Sequence, residues 1–349
     1  MKALRLIDWK TAPELVEVPK PRPGPGEVVI KIGGAGACHS DLHILEDFDN
    51  GLVPWQPPFT LGHENAGWVD SVGAGVTTVN EGDAVAVYGP WGCGVCAQCR
   101  QTSENYCQNP NAAPAGAGGG GGAGLDGGMA EYLLVPFERL LVPLPKGMDP
   151  VTAAPLTDAG LTPYHAIRRS WAKMQPQSAV VVIGIGGLGH TALQLVKATS
   201  AASLIAVDNR TDALELAIRS GADHAIASDE NAAESIRDVT GGHGADVVLD
   251  FVGSTSTIEL ARSAVRTLGD VTIIGLAGGN VQLSYFSQPY EVSIQTTYWG
   301  SRSELTDLLN LASRGLLHIE STTYTLDDAV DAYRDLKAGL VCGRAVIVP

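Results

Sequence analysis

The stretch that most restricts how this chain can fold is Ala179-Val180-Val181-Val182-Ile183, followed at once by Gly184-Ile185-Gly186-Gly187-Leu188-Gly189. An unbroken apolar run rich in β-branched residues suits a parallel strand buried on both faces. The glycines then permit a tight turn and a close backbone approach, and a helical run through Leu193, Val196 and Lys197 follows. Ser203-Leu204-Ile205-Ala206-Val207-Asp208 reads as the next strand, and Asp208 lies 24 residues beyond Gly184. Alone, the six-residue glycine pattern is weak. Between a strand and a helix, with an acid ending the second strand, it is the pattern that seats a pyrophosphate on a helix N-terminus and a ribose hydroxyl on a carboxylate. Gly184, Gly186, Gly187, Leu188, Gly189 and Asp208 are therefore candidate dinucleotide contacts. A carboxylate there repels a 2′-phosphate, which favours NAD over NADP, and Arg210 nearby moderates that preference.

At 349 residues the chain exceeds one ordinary core, and two domains are expected. Strands at Val247–Asp250, Val271–Ile274 and about Val292–Thr297, with helices near 210–220, 229–240 and 255–268, extend the first motif into a doubly wound α/β sheet. Residues 1–35 read as short strands punctuated by Pro19, Pro21, Pro23 and Pro25. Trp68–Val72, Asp83–Tyr88 and Ala130–Val135 alternate likewise, which suggests a small β-barrel-like domain. Ala115 to Gly124 is only Ala and Gly and is expected to be a flexible loop. Thr157–Tyr164 opens a helix, another covers about 303–314, and Arg344–Val348 reads as a final strand.

The chemistry-bearing residues fall in four places. Cys38-His39-Ser40-Asp41-Leu42-His43 follows the strand Glu27–Ile32, with Gly33–Ala37 expected to break that strand and turn the chain. A thiolate, two imidazoles and a hydroxyl suit a zinc ion with an exchangeable oxygen and a proton relay; a buried thiol beside loop histidines is an equal reading of this stretch alone. Leu61-Gly62-His63-Glu64-Asn65-Ala66-Gly67 offers a ligand His with an adjacent acid, or a core His. Cys93, Cys96, Cys99 and Cys107 have x2, x2 and x7 spacing, which favours a closed tetrahedral Zn(Cys)4 site over two disulfides or an iron–sulfur cluster. Asp158 is a helix N-cap unless a metal needs a further ligand. Trp55 and Phe59 are pocket walls or packing, Arg344 reaches a phosphate or a surface ion pair, and Cys342 is packing.

The net charge of −15 argues against nucleic acid or anionic membrane as a partner. No run of about 18 apolar residues appears, and the first residues alternate like a strand instead of forming a signal peptide core. The expected location is the cytoplasm, where six cysteines serve as thiols or metal ligands.

Taken together, Cys-His-Ser-Asp, Gly-His-Glu, the four-Cys lobe, Thr-Asp-Ala-Gly-Leu-Thr, the Rossmann glycines and Gly343-Arg344 resemble the zinc-dependent medium-chain alcohol dehydrogenases over essentially the whole chain, closest to the bacterial branch acting on secondary alcohols and ketones. The resemblance implies a Rossmann sheet inserted in a β-rich, GroES-like catalytic domain. Its expected boundaries are 1–155 with a structural zinc lobe at about 91–108, 156–298 for NAD, and 299–349 returning to the catalytic domain, with the active site in the cleft. It implies two zinc ions per subunit. Cys38, His63 and Asp158 match the catalytic zinc ligands, with Asp158 where the family's zinc site commonly has a second Cys. Glu64 matches an acid that can visit the metal, and Ser40 and His43 match the proton relay. His39, Thr162 and Arg344 match cofactor contacts, and Trp55, Tyr298 and Trp299 the substrate pocket. The Ala/Gly stretch departs from the family, which usually has a bulkier pocket residue there. The implied reaction is hydride transfer between an alcohol or ketone and NAD. The alternatives are a polyol or other dehydrogenase of the same superfamily, or a silent NAD- or zinc-binding regulator. A homo-oligomer, tetramer or dimer, is expected by analogy.

Overall fold

The computed structural model describes residues 1–49, 51–116 and 119–349. Its backbone divides into two compact units. One comprises Met1–Leu161, Trp299–Ser313 and Ile319–Pro349, and the other Thr162–Tyr298 with Arg314–His318.

In the first unit, strands follow the order Leu141–Pro143, Ala84–Val87, Glu64–Val72, Val28–Ala37, Arg344–Val348, Ser321–Thr325, and Tyr132–Val135 also pairs with Val28–Ala37. Val28–Ala37 is the centre of this sheet. Its register sets Gly36 opposite Glu64 and Ala37 opposite Ala345. Cys38, Glu64 and Arg344 thereby reach the same end of three neighbouring strands, although the last belongs to the final residues of the chain.

Gly33–Ala37 does not turn the chain; the strand runs on through it to Ala37. These glycines mark close approach. A Cβ at Gly34 would lie 3.0 Å from Val151 Cα, and one at Gly36 would lie 1.8 Å from Glu64 Oε2. A strand interior can carry glycine where other groups need the space of its missing side chain. Nor is the Ala/Gly stretch a loose loop over its described part: Gly120–Gly121 and Gly124–Leu125 pair as short strands, and Gly119 to Gly122 are buried. A Cβ at Gly122 would lie 2.4 Å from the Gly62 carbonyl carbon, so bare backbone packs against the segment leading into His63. Ala117 and Gly118 of that stretch lie outside the described residues.

The second unit contains a six-stranded parallel sheet in the order His224–Ala227, Ser203–Asp208, Ala179–Ile183, Ala245–Asp250, Val265–Ile273, Ser293–Thr296. Chain order reverses at Ala179–Ile183, so the Gly184–Gly189 loop stands at the carboxyl end of a strand at the topological switch point, where doubly wound sheets bind ligands. Val181, Ile183, Ile205, Val207, Val248 and Val271 form its core with Ile236 and Ala261 from the covering helices. The edge strand His224–Ala227 is mostly exposed and lacks the apolar run that reveals the central strands. The helix expected over 255–268 ends at Ala264, where the chain turns extended at Val265.

Gly67 tests the close-approach argument. A Cβ there would lie 2.1 Å from the Lys31 carbonyl oxygen and 3.0 Å from Ile32 Cα, both backbone. Gly67→Ala should destabilise the protein by about 1–3 kcal/mol, the usual cost of overpacking. A chemical denaturation midpoint equal to that of the unmodified protein would contradict this packing.

Candidate active site

The side-chain donors of Cys38, His63, Glu64 and Asp158 lie within 4.8 Å of one another, and all four residues are buried. The strand Val28–Ala37 ends beside the helix His39–Glu46, with Cys38 as its N-cap. His63 precedes the strand Glu64–Val72. Asp158 ends the short 3-10 turn Ala154–Thr157, and the next helix starts only at Leu161. Asp158 is therefore not that helix's N-cap, and its carboxylate faces the Cys/His pair. Its Oδ2 lies 3.8 Å from Cys38 Sγ and 3.5 Å from His63 Nε2. A tetrahedral zinc with ordinary bond lengths spaces such atoms by about 3.3–3.5 Å. Soft, borderline and hard donors at near these separations fit a zinc ion.

His63 is oriented from behind. Its Nδ1 lies 2.8 Å from Asp41 Oδ1. Asp41 Oδ2 accepts from the Cys38 N–H at 2.9 Å and from the Tyr333 hydroxyl at 2.9 Å. Burial alone would lower the His63 pKa, but the Asp41 carboxylate and then Asp158 raise it well above the ordinary imidazole value. This leaves Nε2 directed at Asp158 and Ser40, whose Oγ is 3.4 Å away. Asp41 and Tyr333 were not singled out from the sequence. Asp41 carries a local signal, since it stands three residues after Cys38 and completes a capping box with it. Tyr333 carries none.

Glu64 forms a bidentate pair with Arg344, both buried. Glu64 Oε1 also accepts from the Ala159 N–H at 3.0 Å. Burial raises the Glu64 pKa against the opposing pull of Arg344. Arg344, expected at a phosphate or in a surface pair, is paired with a buried carboxylate, not a surface one. Desolvation and then the Arg344 charge lower the His39 pKa, so the two expected phosphate contacts feel one another. His43 Nδ1 is bonded to Asp47 Oδ2 at 2.6 Å. The Trp299 ring meets His63 edge-on, with centroids 5.5 Å apart. Trp55 packs beside Phe48 and over Gly124, Tyr298 is partly exposed, and Phe59 is core packed against Trp9.

The four-cysteine lobe is a second donor set. Cys93, Cys96, Cys99 and Cys107 place their sulfurs within 4.8 Å of one another, and all are free thiols. Cys93 and Cys99 sulfurs are 3.9 Å apart, close to the roughly 3.8 Å that a tetrahedral Zn–S length of about 2.3 Å requires. The N–H groups of Cys99 and Gln108 bring the Cys96 thiol down to about 6. Burial pushes Cys99 the other way. Cys342, expected to be packing, is exposed.

In the second unit, Gly184 adopts φ +87°, and a Cβ on Gly189 would lie 1.9 Å from the Gly184 carbonyl oxygen. Gly186 faces open space. Asp208 Oδ2 accepts from the Ile185 N–H at 2.7 Å and Oδ1 from the Arg210 N–H at 3.0 Å, which fixes the acid against the glycine loop. Thr162 is buried at the start of the helix Leu161–Ser170.

Residues 24–146 match the alcohol dehydrogenase GroES-like domain, and residues 187–314 match the zinc-binding dehydrogenase domain. An NAD-dependent alcohol dehydrogenase of Sulfurisphaera tokodaii is 37% identical, with 100% of each chain covered. The chain belongs to the zinc-dependent medium-chain alcohol dehydrogenases. A D-arabinose 1-dehydrogenase (NADP(+)) of Saccharolobus solfataricus is 32% identical, covering 100% of this chain and 97% of that one. The crystal structure of the alcohol dehydrogenase from Aeropyrum pernix superposes with a TM-score of 0.91 at 34% identity over 100% of both chains. As in other zinc-dependent alcohol dehydrogenases, small molecules are the substrates. Among the described residues, no helix is long and apolar enough to cross a membrane.

In this dehydrogenase Asp41 should matter to the metal without touching it. Asp41→Ala should weaken zinc retention by about 10–100-fold, the usual effect of removing such a partner. Competition with a chromogenic chelator measures it, and unaltered retention would remove Asp41 from that role.

Proposed function

We propose that this chain is an NAD-dependent alcohol dehydrogenase that interconverts secondary alcohols and ketones, with a catalytic zinc on Cys38, His63 and Asp158 and a structural zinc on Cys93, Cys96, Cys99 and Cys107. The observation that carries the reading is the convergence of Cys38, His63 and Asp158 beside Ser40. When bound, the zinc supplies a Lewis acid for the substrate oxygen and the NAD supplies the hydride acceptor. The chain's own residues do the rest. Ser40, partly exposed and next to His63 Nε2, takes the proton from the substrate hydroxyl and passes it outward. His43, anchored through Nδ1 to Asp47, keeps Nε2 for the next transfer. Asp41 holds the His63 tautomer, and Arg344 holds the Glu64 carboxyl group next to the donor set, ready for ligand exchange. Trp299 and Trp55 form the apolar wall against which the substrate's carbon chain rests.

In the nucleotide site of the second unit, the Gly184–Gly189 loop and the following helix N-terminus would receive the pyrophosphate, Thr162 would add a cofactor contact, and Asp208 would receive the ribose hydroxyls. Its carboxylate excludes a 2′-phosphate, so NAD is preferred. The enzyme is cytoplasmic and homo-oligomeric, a dimer or tetramer. Ser293–Thr296 lies at an edge of the parallel sheet, and Tyr285, Phe286 and Tyr290 nearby are 73%, 86% and 59% exposed, a surface suited to a second copy.

The deciding experiment follows NADH absorbance with NAD and a simple secondary alcohol, then with NADP and after zinc removal. Turnover with NAD that disappears with the zinc is expected. Bound NAD and two zinc ions without turnover on any alcohol or ketone would overturn the reading in favour of a silent regulator. Ser40→Ala should lower turnover by about 10²–10⁴ at neutral pH; near-normal turnover would exclude Ser40 from the relay.

A further inference from the structure

Trp299 stands in a backbone conformation uncommon for its residue type, φ +53°. The peptide groups after it are held by residues far away in sequence. Tyr88 is fully buried, and its hydroxyl donates to the Gly300 carbonyl at 2.6 Å while accepting from the Asn105 N–H at 3.3 Å. Burial keeps that phenol protonated, with a pKa well above its ordinary value. From the other side, the Arg302 N–H donates to the Thr102 carbonyl at 2.9 Å, and Thr102 Oγ1 donates to Ser303 Oγ at 2.9 Å. Thr102 and Asn105 both lie between Cys99 and Cys107 of the four-cysteine lobe. The residue after Tyr88 completes the seat. A Cβ on Gly89 would lie 1.7–2.7 Å from three atoms of the Trp299 ring, so the indole lies directly on a bare Cα. The same ring meets His63 edge-on, with centroids 5.5 Å apart.

We propose that Tyr88 is a positioning residue: with the bare Cα of Gly89 as the seat, its bond to Gly300 holds the Trp299 indole against His63 and thereby sets the width of the substrate space. This rests on the alcohol dehydrogenase reading given above, in which Trp299 is a wall of that space. It also gives the cysteine lobe a second task, since its Asn105 and Thr102 brace the same segment. A positively twisted backbone bearing a large ring needs external support, and the Tyr88 hydroxyl is buried support aimed at the adjacent carbonyl.

Tyr88→Phe keeps the ring and deletes only the hydroxyl. In its crystal structure the indole should leave the Gly89 face. The KM for a small secondary alcohol should rise about three- to tenfold, as expected for a lost buried hydrogen bond, with kcat within about twofold. Gly89→Ala, with Tyr88 intact, should displace the indole and reproduce the same split. In a Trp299→Ala background the Tyr88→Phe shift should vanish, because the two changes act through one side chain. An indole unmoved in Tyr88→Phe crystals overturns the proposal. So does a KM shift that persists in full without Trp299, or a change in melting temperature with KM unaltered. If the unmodified protein turns over no alcohol, the activity reading fails, and the crystal structures of Tyr88→Phe and Gly89→Ala decide the positioning role alone.

Discussion

One buried carboxylate, Asp41, organises the candidate active site. A carboxylate removed from water is costly unless its oxygens are occupied. Asp41 is fully buried, and three groups surround it: the Cys38 N–H, the Tyr333 hydroxyl and His63 Nδ1. Each belongs to a different part of the first unit. The first fixes the turn from strand into helix at the thiol. The second ties in the helix Ala329–Lys337. The third sets the imidazole so that its other nitrogen faces Asp158. A single side chain thus settles where two of the candidate metal donors sit.

The charges around it explain why the donor set suits a cation. Cys38, Asp158, Glu64 and Asp41 are four groups that carry negative charge when ionised, gathered with Arg344 as the permanent positive one. Arg344 is already engaged in two bonds to Glu64. The remaining negative charge raises the affinity of His63 for a proton despite its burial. The same field would stabilise a divalent ion among Cys38, His63 and Asp158, because buried anions are tolerated when they share a cation.

Elements with a strong local signal were legible in the sequence. The strand Ala179–Ile183 and the glycine loop after it stand out because burial on both faces demands an unbroken apolar run. The four cysteines stand out because spacing alone brings them together. Positions whose meaning depends on distant partners did not show. Gly33, Gly34 and Gly36 look like turn formers from their neighbours; that they widen a strand for Val151 and Glu64 depends on residues tens to more than a hundred positions away. The short strands in the Ala/Gly stretch escaped for the same reason, since glycine serves flexibility and close packing equally well. Arg344 could be seen as a cation but not as the partner of Glu64, 280 residues earlier. Tyr333 meets Asp41 across 292 residues and leaves no trace in any local pattern. Asp158 has the clearest double reading. Its sequence suits a helix cap, and only the three-residue gap before Leu161 frees its carboxylate to face Cys38 and His63.

That dependence on distance has a consequence for how the site is assembled. The first unit is built from both ends of the chain, and its last strand, Arg344–Val348, pairs with Val28–Ala37 beside Cys38. Without that strand Glu64 has no Arg344 counter-ion, and without the helix Ala329–Lys337 before it Asp41 lacks the Tyr333 hydroxyl. Two carboxylates would then stand incompletely satisfied where the candidate zinc ligands meet, which disfavours burying them. The finished donor geometry is therefore a property of the closed sheet. Cys38, His63 and Asp158 are all present in the first 161 residues, but their surroundings are completed by the final strand and the helix before it. In this chain Tyr333 and Arg344, which complete the surroundings of the candidate metal ligands, are separated from those ligands in sequence by the whole of the second unit's main segment, and the final helix and strand bring them back.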